Sequence, residues 1–320
     1  SLTKGRLISA CDQALRLDSN VVDPLAHHAL QLEQVLQHAD AFDIIHFHTG
    51  YSHFPLFRRQ KTPSVTTFHG RLDLADFERL FPAFKDIPVV SISNSQRQPF
   101  PNMNWQGTIY HGLPLNLYRP GPGSGGYLAF LGRISPEKRV DRAIKIAERV
   151  NMKIKIAAKV DASDREYVEK EIGPILEHPL VEFIGECNGK EKEEFLGHAY
   201  ALLFPIDWPE PFGLVMIEAM ACGTPVIAYR AGSVPEIIDT GVNGFVVENI
   251  EEAAKAVSQI QYLDRTRCRR SFEERFSSAR MAADYIRVYE RLRRRDRLRP
   301  RGAMNSGGGT RTHIPFAPSE

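Results

Sequence analysis

Short apolar runs rich in β-branched residues alternate with stretches of helical period along this chain, and that alternation limits the folds open to it. The runs are Phe42–His48, Ser64–His69, Pro88–Ser93, Tyr127–Arg133, Met152–Val160, Val181–Cys187, Tyr200–Ile206 and Pro225–Arg230, with a shorter one at Thr108–His111. Strands separated by helices form parallel sheets covered by crossover helices, so the expected class is α/β. With 320 residues, 42% of them hydrophobic, the chain can bury the core of about two domains. Between the third and fourth long runs lies Pro120-Gly-Pro-Gly-Ser-Gly-Gly126, which has no means of forming a helix and no side chains to pack, and reads as a linker. Two doubly wound halves follow, residues 1–119 and 127–276. Such sheets bind ligands beyond the carboxyl ends of their strands, so the shared site is expected in the cleft between the halves.

Charge and cysteine content remove several function classes. The 41 basic and 39 acidic side chains give a net charge of +2 and are spread along most of the sequence, so no global field calls for nucleic acid. An anionic ligand has to be held locally. Cys11, Cys187, Cys222 and Cys268 are far apart, which argues against a zinc knuckle or a disulfide framework and fits a reducing cytoplasm. No apolar stretch approaches the ~20 residues of a membrane-spanning helix. The basic run Arg291–Arg301 is compatible with peripheral attraction to an anionic membrane, and the aperiodic 299–320 tail reads as disordered.

Two segments carry chemistry. In Pro209-Glu-Pro-Phe-Gly-Leu-Val-Met-Ile-Glu-Ala-Met-Ala-Cys-Gly-Thr-Pro-Val226 the order is loop, helix, stop, strand: Pro211 can open a helix, Leu214–Ala221 favours one, and Gly223 with Pro225 ends it. Glu210 then sits in the loop at a helix N-terminus, Glu218 lies about two turns along, and the free amides of Phe212, Gly213 and Leu214 face the cleft, where they can bind anionic or hydroxyl oxygen. The second segment is Phe130-Leu-Gly-Arg-Ile-Ser-Pro-Glu-Lys-Arg139 at a strand exit. Gly132 admits a ligand close to the backbone, and Ser135-Pro136 opens a helix flanked by Arg133 and Lys138. Two fixed cations beside a helix N-terminus suit a diphosphate and remove the need for a metal ion. Taken alone, each spacing also fits capping glutamates and a solvated turn.

Together these strings, with Ala231-Gly-Ser-Val-Pro-Glu-Ile237, resemble the retaining glycosyltransferases of glycosyltransferase family 4, which have the two-domain GT-B architecture. The resemblance implies transfer of a sugar from a nucleotide-diphosphate sugar to a hydroxyl acceptor, with retention, without metal or cofactor. It implies that Arg133 and Lys138 bind the donor pyrophosphate, Glu210 the transferred sugar and Glu218 the ribose, and that His69, at a strand exit before Gly70, hydrogen-bonds the sugar from the other domain. The chemistry it implies is front-face departure of the diphosphate, with no protein nucleophile. It also implies a last helix, 277–298, returning to the first domain, and an opening strand with a glycine-rich loop. Nothing in Ser1–Gln13 resembles that opening, so the first domain is expected to be incomplete and transfer by this chain impaired. Other readings remain: an epimerase or a phosphorylase on the same fold, or a nucleotide-sugar binding protein without turnover.

Several residues read as structural. His46 and His48 share a strand face but lack acidic or cysteine partners at ligand spacing, so no metal site is expected there. His111-Gly112 stands where the family more often has Asn-Gly. Phe54, Phe57, Phe68 and Phe81 are expected in the core, and Cys187 and Cys222 as small buried residues.

Overall fold

The computed structural model describes residues 5–298 other than 16, 17 and 19, so the expected tail and the end of the basic run lie outside the described residues. The chain forms two parallel sheets. The first has the order β1-β2-β3-β4, from β1 (Ile45–Phe47), β2 (Ser64–Thr67), β3 (Val89–Ser91) and β4 (Trp105–Thr108). The second contains β5 (Tyr127–Arg133), β6 (Lys153–Lys159), β7 (Val181–Gly185), β8 (Ala201–Phe204), β9 (Val226–Tyr229) and β10 (Gly244–Val247), in the order β10-β9-β8-β5-β6-β7. That order reverses between β5 and β8, and the carboxyl ends of those two strands lead into the two motif segments. The reversal is where a doubly wound sheet opens a crevice. In the first sheet the described strands succeed one another without a reversal.

Continuous burial explains the strand sequences. Residues 127–130 of β5 and all of β8 and β9 are buried, as expected of strands covered on both faces. Phe54, Phe57, Phe68 and Phe81 are core residues of the first domain. Cys222 and Cys268 are buried, while Cys187 is only half-buried.

Three local expectations are corrected. The last strand of the first sheet is Trp105–Thr108 rather than Thr108–His111, because its ladder with Val89–Ser91 ends there and Tyr110 and His111 turn toward the second domain. The Ser135-Pro136 turn opens only the short 3₁₀ stretch Pro136–Lys138; Arg139 then adopts a left-handed φ of 54° and the α-helix begins at Val140. Pro211 does not begin the glutamate helix. That helix runs Leu214–Ala221 after Gly213 at φ 76°, so Glu218 stands just over one turn in.

The linker does pack. Gly121, Gly123 and Gly125 donate backbone N–H bonds to Cys222, Gly197 and His198 carbonyls, and a Cβ on Gly121 would lie 2.4 Å from Gly197. Absent side chains let this backbone lie directly on the Gly189–His198 helix. The largely buried Arg265 secures it with donors to the Gly121, Gly197 and Ala199 carbonyls. A second crossing runs beside Gly112, where the Leu113 N–H donates to the Phe276 carbonyl and the Leu113 carbonyl accepts from the Ser278 N–H. The following helix, Ser278–Leu298, lies on the first sheet, with Tyr285, Val288 and Leu292 against Val65, Val90 and Ile109. Burying each of those side chains contributes about 1.5–3 kcal/mol.

Candidate active site

Both motif segments meet at the crevice of the second sheet. Gly132, Lys138, Glu210, Gly213 and Leu214 line one pocket of about 170 Å³ with Phe130, Leu131, Phe204 and Val215. A Cβ on Gly132 would point into open space, so this floor is bare backbone. Lys138 Nζ donates to Glu210 Oε2, joining residues 72 apart in sequence. The segments are clamped behind the pocket as well. Asp207 N–H donates to the Glu137 carbonyl at 2.9 Å, and the Asp207 carboxylate accepts from Arg139 at 2.8 Å and Arg142 at 3.0 Å.

Glu210 is 8% exposed and owes its place to Gly232, a residue to which the sequence motif alone assigns no role. Ser233 N–H donates to the Glu210 carbonyl at 2.9 Å, and Gly232 lies so close that any Cβ there would fall 2.3 Å from Glu210 backbone nitrogen and oxygen. Gly232 also has φ 53°, a conformation that favours glycine. The Ala231-Gly232-Ser233 string is therefore the seat of the Glu210 loop.

The remaining expected site residues lie outside this pocket. Arg133, at the end of β5, is ringed by carboxylates: Glu137 at 2.6 Å, Asp161 at 3.3 Å and Asp164 at 3.6 Å. The hydrogen bond it donates to Glu137 is the first cause holding its guanidinium pKa above the usual value. Phe212 is buried and stacks edge-on against His111, with ring centres 4.9 Å apart. Glu218 accepts from Lys192 Nζ at 2.9 Å and from the Tyr118 hydroxyl at 3.4 Å. Burial opposes the Lys192 charge, but Glu218 outweighs it and raises the pKa. Lys192 carries no motif spacing, and only the fold brings it to Glu218.

His69 stands in the first domain within a run of rings. His48 Nδ1 and His69 Nε2 share a hydrogen bond of 2.7 Å, and His69 stacks on His111 at 5.3 Å with an interplanar angle of 8°. His46 bonds Tyr289 Oη at 2.7 Å and Thr67 Oγ1 at 2.8 Å. Through Phe212 the rings reach the second domain, with His111 between His69 and Phe212. Burial depresses every one of these imidazoles, His111 to about 4 and His46 to about 3. A wall of neutral rings can donate and accept hydrogen bonds with hydroxyls.

A carboxylate also links the domains directly. Glu236, in the short helix Val234–Ile237, accepts from the Asn94 and Ser95 amides at 2.7 Å each and from Tyr110 Oη at 2.9 Å. Burial, then Glu236, pushes the Tyr110 phenol up to about 12. No helix among the described residues is long and apolar enough to cross a membrane.

Comparison with known proteins agrees with this fold. Residues 122–275 match the family described as Glycosyl transferases group 1. An uncharacterized glycosyltransferase of Methanocaldococcus jannaschii is 31% identical over 176 residues, 51% of this chain and 44% of the relative. A D-inositol 3-phosphate glycosyltransferase of Mycobacterium leprae is 30% identical over 174 residues, 47% of this chain and 39% of the relative. The chain thus spans less than half the length of these curated relatives. Among solved structures, sucrose-phosphate synthase from Thermosynechococcus elongatus superposes with a TM-score of 0.70 at 19% identity, covering 83% of this chain and 78% of that one. Anabaena Alr3699/HepE, in complex with UDP and glucose, superposes with a TM-score of 0.68 at 21% identity, covering 85% and 84%. The second domain of this chain thus resembles the glycosyl transferases group 1 over residues 122–275, and the chain as a whole shares the two-domain GT-B fold of these solved structures.

Proposed function

We propose that the chain serves a retaining, metal-independent transfer of a sugar from a nucleotide-diphosphate sugar to a hydroxyl acceptor. The observation that carries this reading is the Lys138–Glu210 pair over the bare Gly132 backbone, at the N-terminus of the Leu214–Ala221 helix. A diphosphate entering the pocket meets an ammonium, free amides and the positive end of that helix. Arg133, at the exit of β5, supplies a second cation once it exchanges a carboxylate for phosphate. These groups offset the charge that grows on the departing diphosphate, the part a divalent cation plays in other sites. The same chemistry is in keeping with the UDP and UDP-glucose held by the Anabaena neighbour.

With Lys138 drawn to phosphate, Glu210 is left beside the transferred sugar, where a carboxylate stabilises the positive character that develops as the glycosidic bond breaks. Glu218 binds the ribose hydroxyls, with Lys192 holding its orientation. His69 approaches the sugar from the first domain, and the acceptor hydroxyl enters along the imidazole wall. The four free cysteines suit a reducing cytoplasm.

Isothermal titration calorimetry with nucleoside diphosphates and their sugars, followed by turnover assays across hydroxyl acceptors, tests the reading. Glu210→Gln is expected to lower turnover more than donor affinity, and Glu218→Gln the reverse. Absence of binding to any nucleoside diphosphate would refute the donor pocket.

A further inference from the structure

Trp208 touches both members of the pair that defines the pocket. Its indole N–H donates to Glu210 Oε2 at 3.1 Å, the same oxygen that Lys138 holds. Its ring lies 4.8 Å from Lys138 Nζ, with the Phe204 ring 5.6 Å away on another side. One side chain therefore offers a π-face to the ammonium and an N–H to the carboxylate. Its backbone is fixed too: the Trp208 carbonyl accepts from Glu210 N–H at 2.8 Å, and the preceding Asp207 is clamped by two arginines.

We propose that Trp208 is a positioning residue of the donor site, keeping Glu210 oriented when the donor diphosphate draws Lys138 away. The inference rests on the donor-site reading above. A carboxylate as buried as Glu210 cannot be left without a donor except at a large desolvation cost. Once Lys138 turns to phosphate, the indole N–H still satisfies Oε2 and aims Oε1 at the sugar. The aromatic faces keep a place for the ammonium in either position, so the exchange needs little rearrangement. Phenylalanine at 208 would retain the face and lose the N–H, which separates the two roles.

The chain has two tryptophans, Trp105 and Trp208, so a Trp105→Phe variant reports on Trp208 alone. Titrated with UDP, its emission is expected to change with the midpoint that calorimetry gives for binding. In Trp208→Phe, UDP affinity is expected to stay within about threefold of the parent, whereas the extra affinity for UDP-glucose over UDP falls by about tenfold, the loss of one hydrogen bond to a charged group. Binding of UDP with no change in Trp208 emission, or an unchanged UDP-glucose to UDP ratio in Trp208→Phe, overturns the inference while leaving the donor pocket standing. Failure of the parent chain to bind UDP, GDP or ADP removes the pocket and the inference together.

Discussion

The two walls of the cleft solve opposite electrostatic problems. On the first domain, beside the exposed Arg71–Asp73 pair, the wall is built of imidazoles that bond hydroxyls and one another, and burial holds them neutral. On the second, charge is kept and paired: Lys138 with Glu210, Lys192 with Glu218, Arg133 with three carboxylates. Neutral rings suit a partner rich in hydroxyls. Paired ions suit a partner that brings its own charge, because an incoming diphosphate can take a cation already in position.

The widest gap between the walls should open in acid. An imidazole whose folded pKa lies below the unfolded value near 6.5 binds its proton more readily in the unfolded chain, so stability is full above about pH 6.5 and falls as pH drops toward the folded value. His46, His53 and His111, held down to about 3, about 4 and about 4, all lie in or beside the first domain. Each contributes a slope of up to about 1.4 kcal/mol per pH unit. Hydrogen exchange followed from pH 7 to pH 5 should show the first sheet losing protection while β5, β8 and β9 keep theirs. Uniform loss across both sheets would count against the contrast.

Gly232→Ala attacks the paired wall without touching a charge. The new Cβ would meet the Glu210 backbone at 2.3 Å in a left-handed conformation, so either the loop moves or the domain loses on the order of 3 kcal/mol. Thermal unfolding together with calorimetry should register a lowered Tm or lost nucleotide binding; a variant normal in both would show that the loop tolerates the displacement.

Lys138→Ala is next in size. It removes a charge-assisted contact and should weaken nucleoside diphosphate binding by about 1.5–3 kcal/mol, leaving nucleoside binding nearly unchanged. Equal losses for nucleoside and diphosphate would move Lys138 away from the phosphates.

The smallest expected effect sharpens the comparison from the other side. His69→Ala alters the neutral wall and should shift nucleoside diphosphate affinity by less than about 0.5 kcal/mol while reducing turnover. A loss as large as that of Lys138→Ala would mean that the two walls share the diphosphate.

Much of this arrangement was legible in the sequence, for reasons that particular residues make plain. Tyr127–Arg133 is a strand over its whole expected length and Leu214–Ala221 a helix over its whole expected length, because local propensity, apolar continuity and flanking glycines all agree there. That Gly132 ends a strand and that Lys138 and Glu210 each follow one is readable from the parallel α/β pattern alone. The strand Gly244–Val247 was not legible. It is short, follows a glycine-rich turn, and is defined by its ladder with Val226–Tyr229, where a Cβ at Gly244 would fall 2.0 Å from the Val226 carbonyl oxygen.

What the sequence determined by itself is the set of elements and their alternation, since period, propensity and turn chemistry act over a few residues. What only the tertiary structure decided is who partners whom. Trp208 against Lys138, Lys192 against Glu218, Gly232 beneath Glu210, and His111 between His69 and Phe212 join segments distant in the chain or on different strands. Charge pairing and close packing depend on separations of a few ångströms in space, and no local pattern of residues encodes those separations.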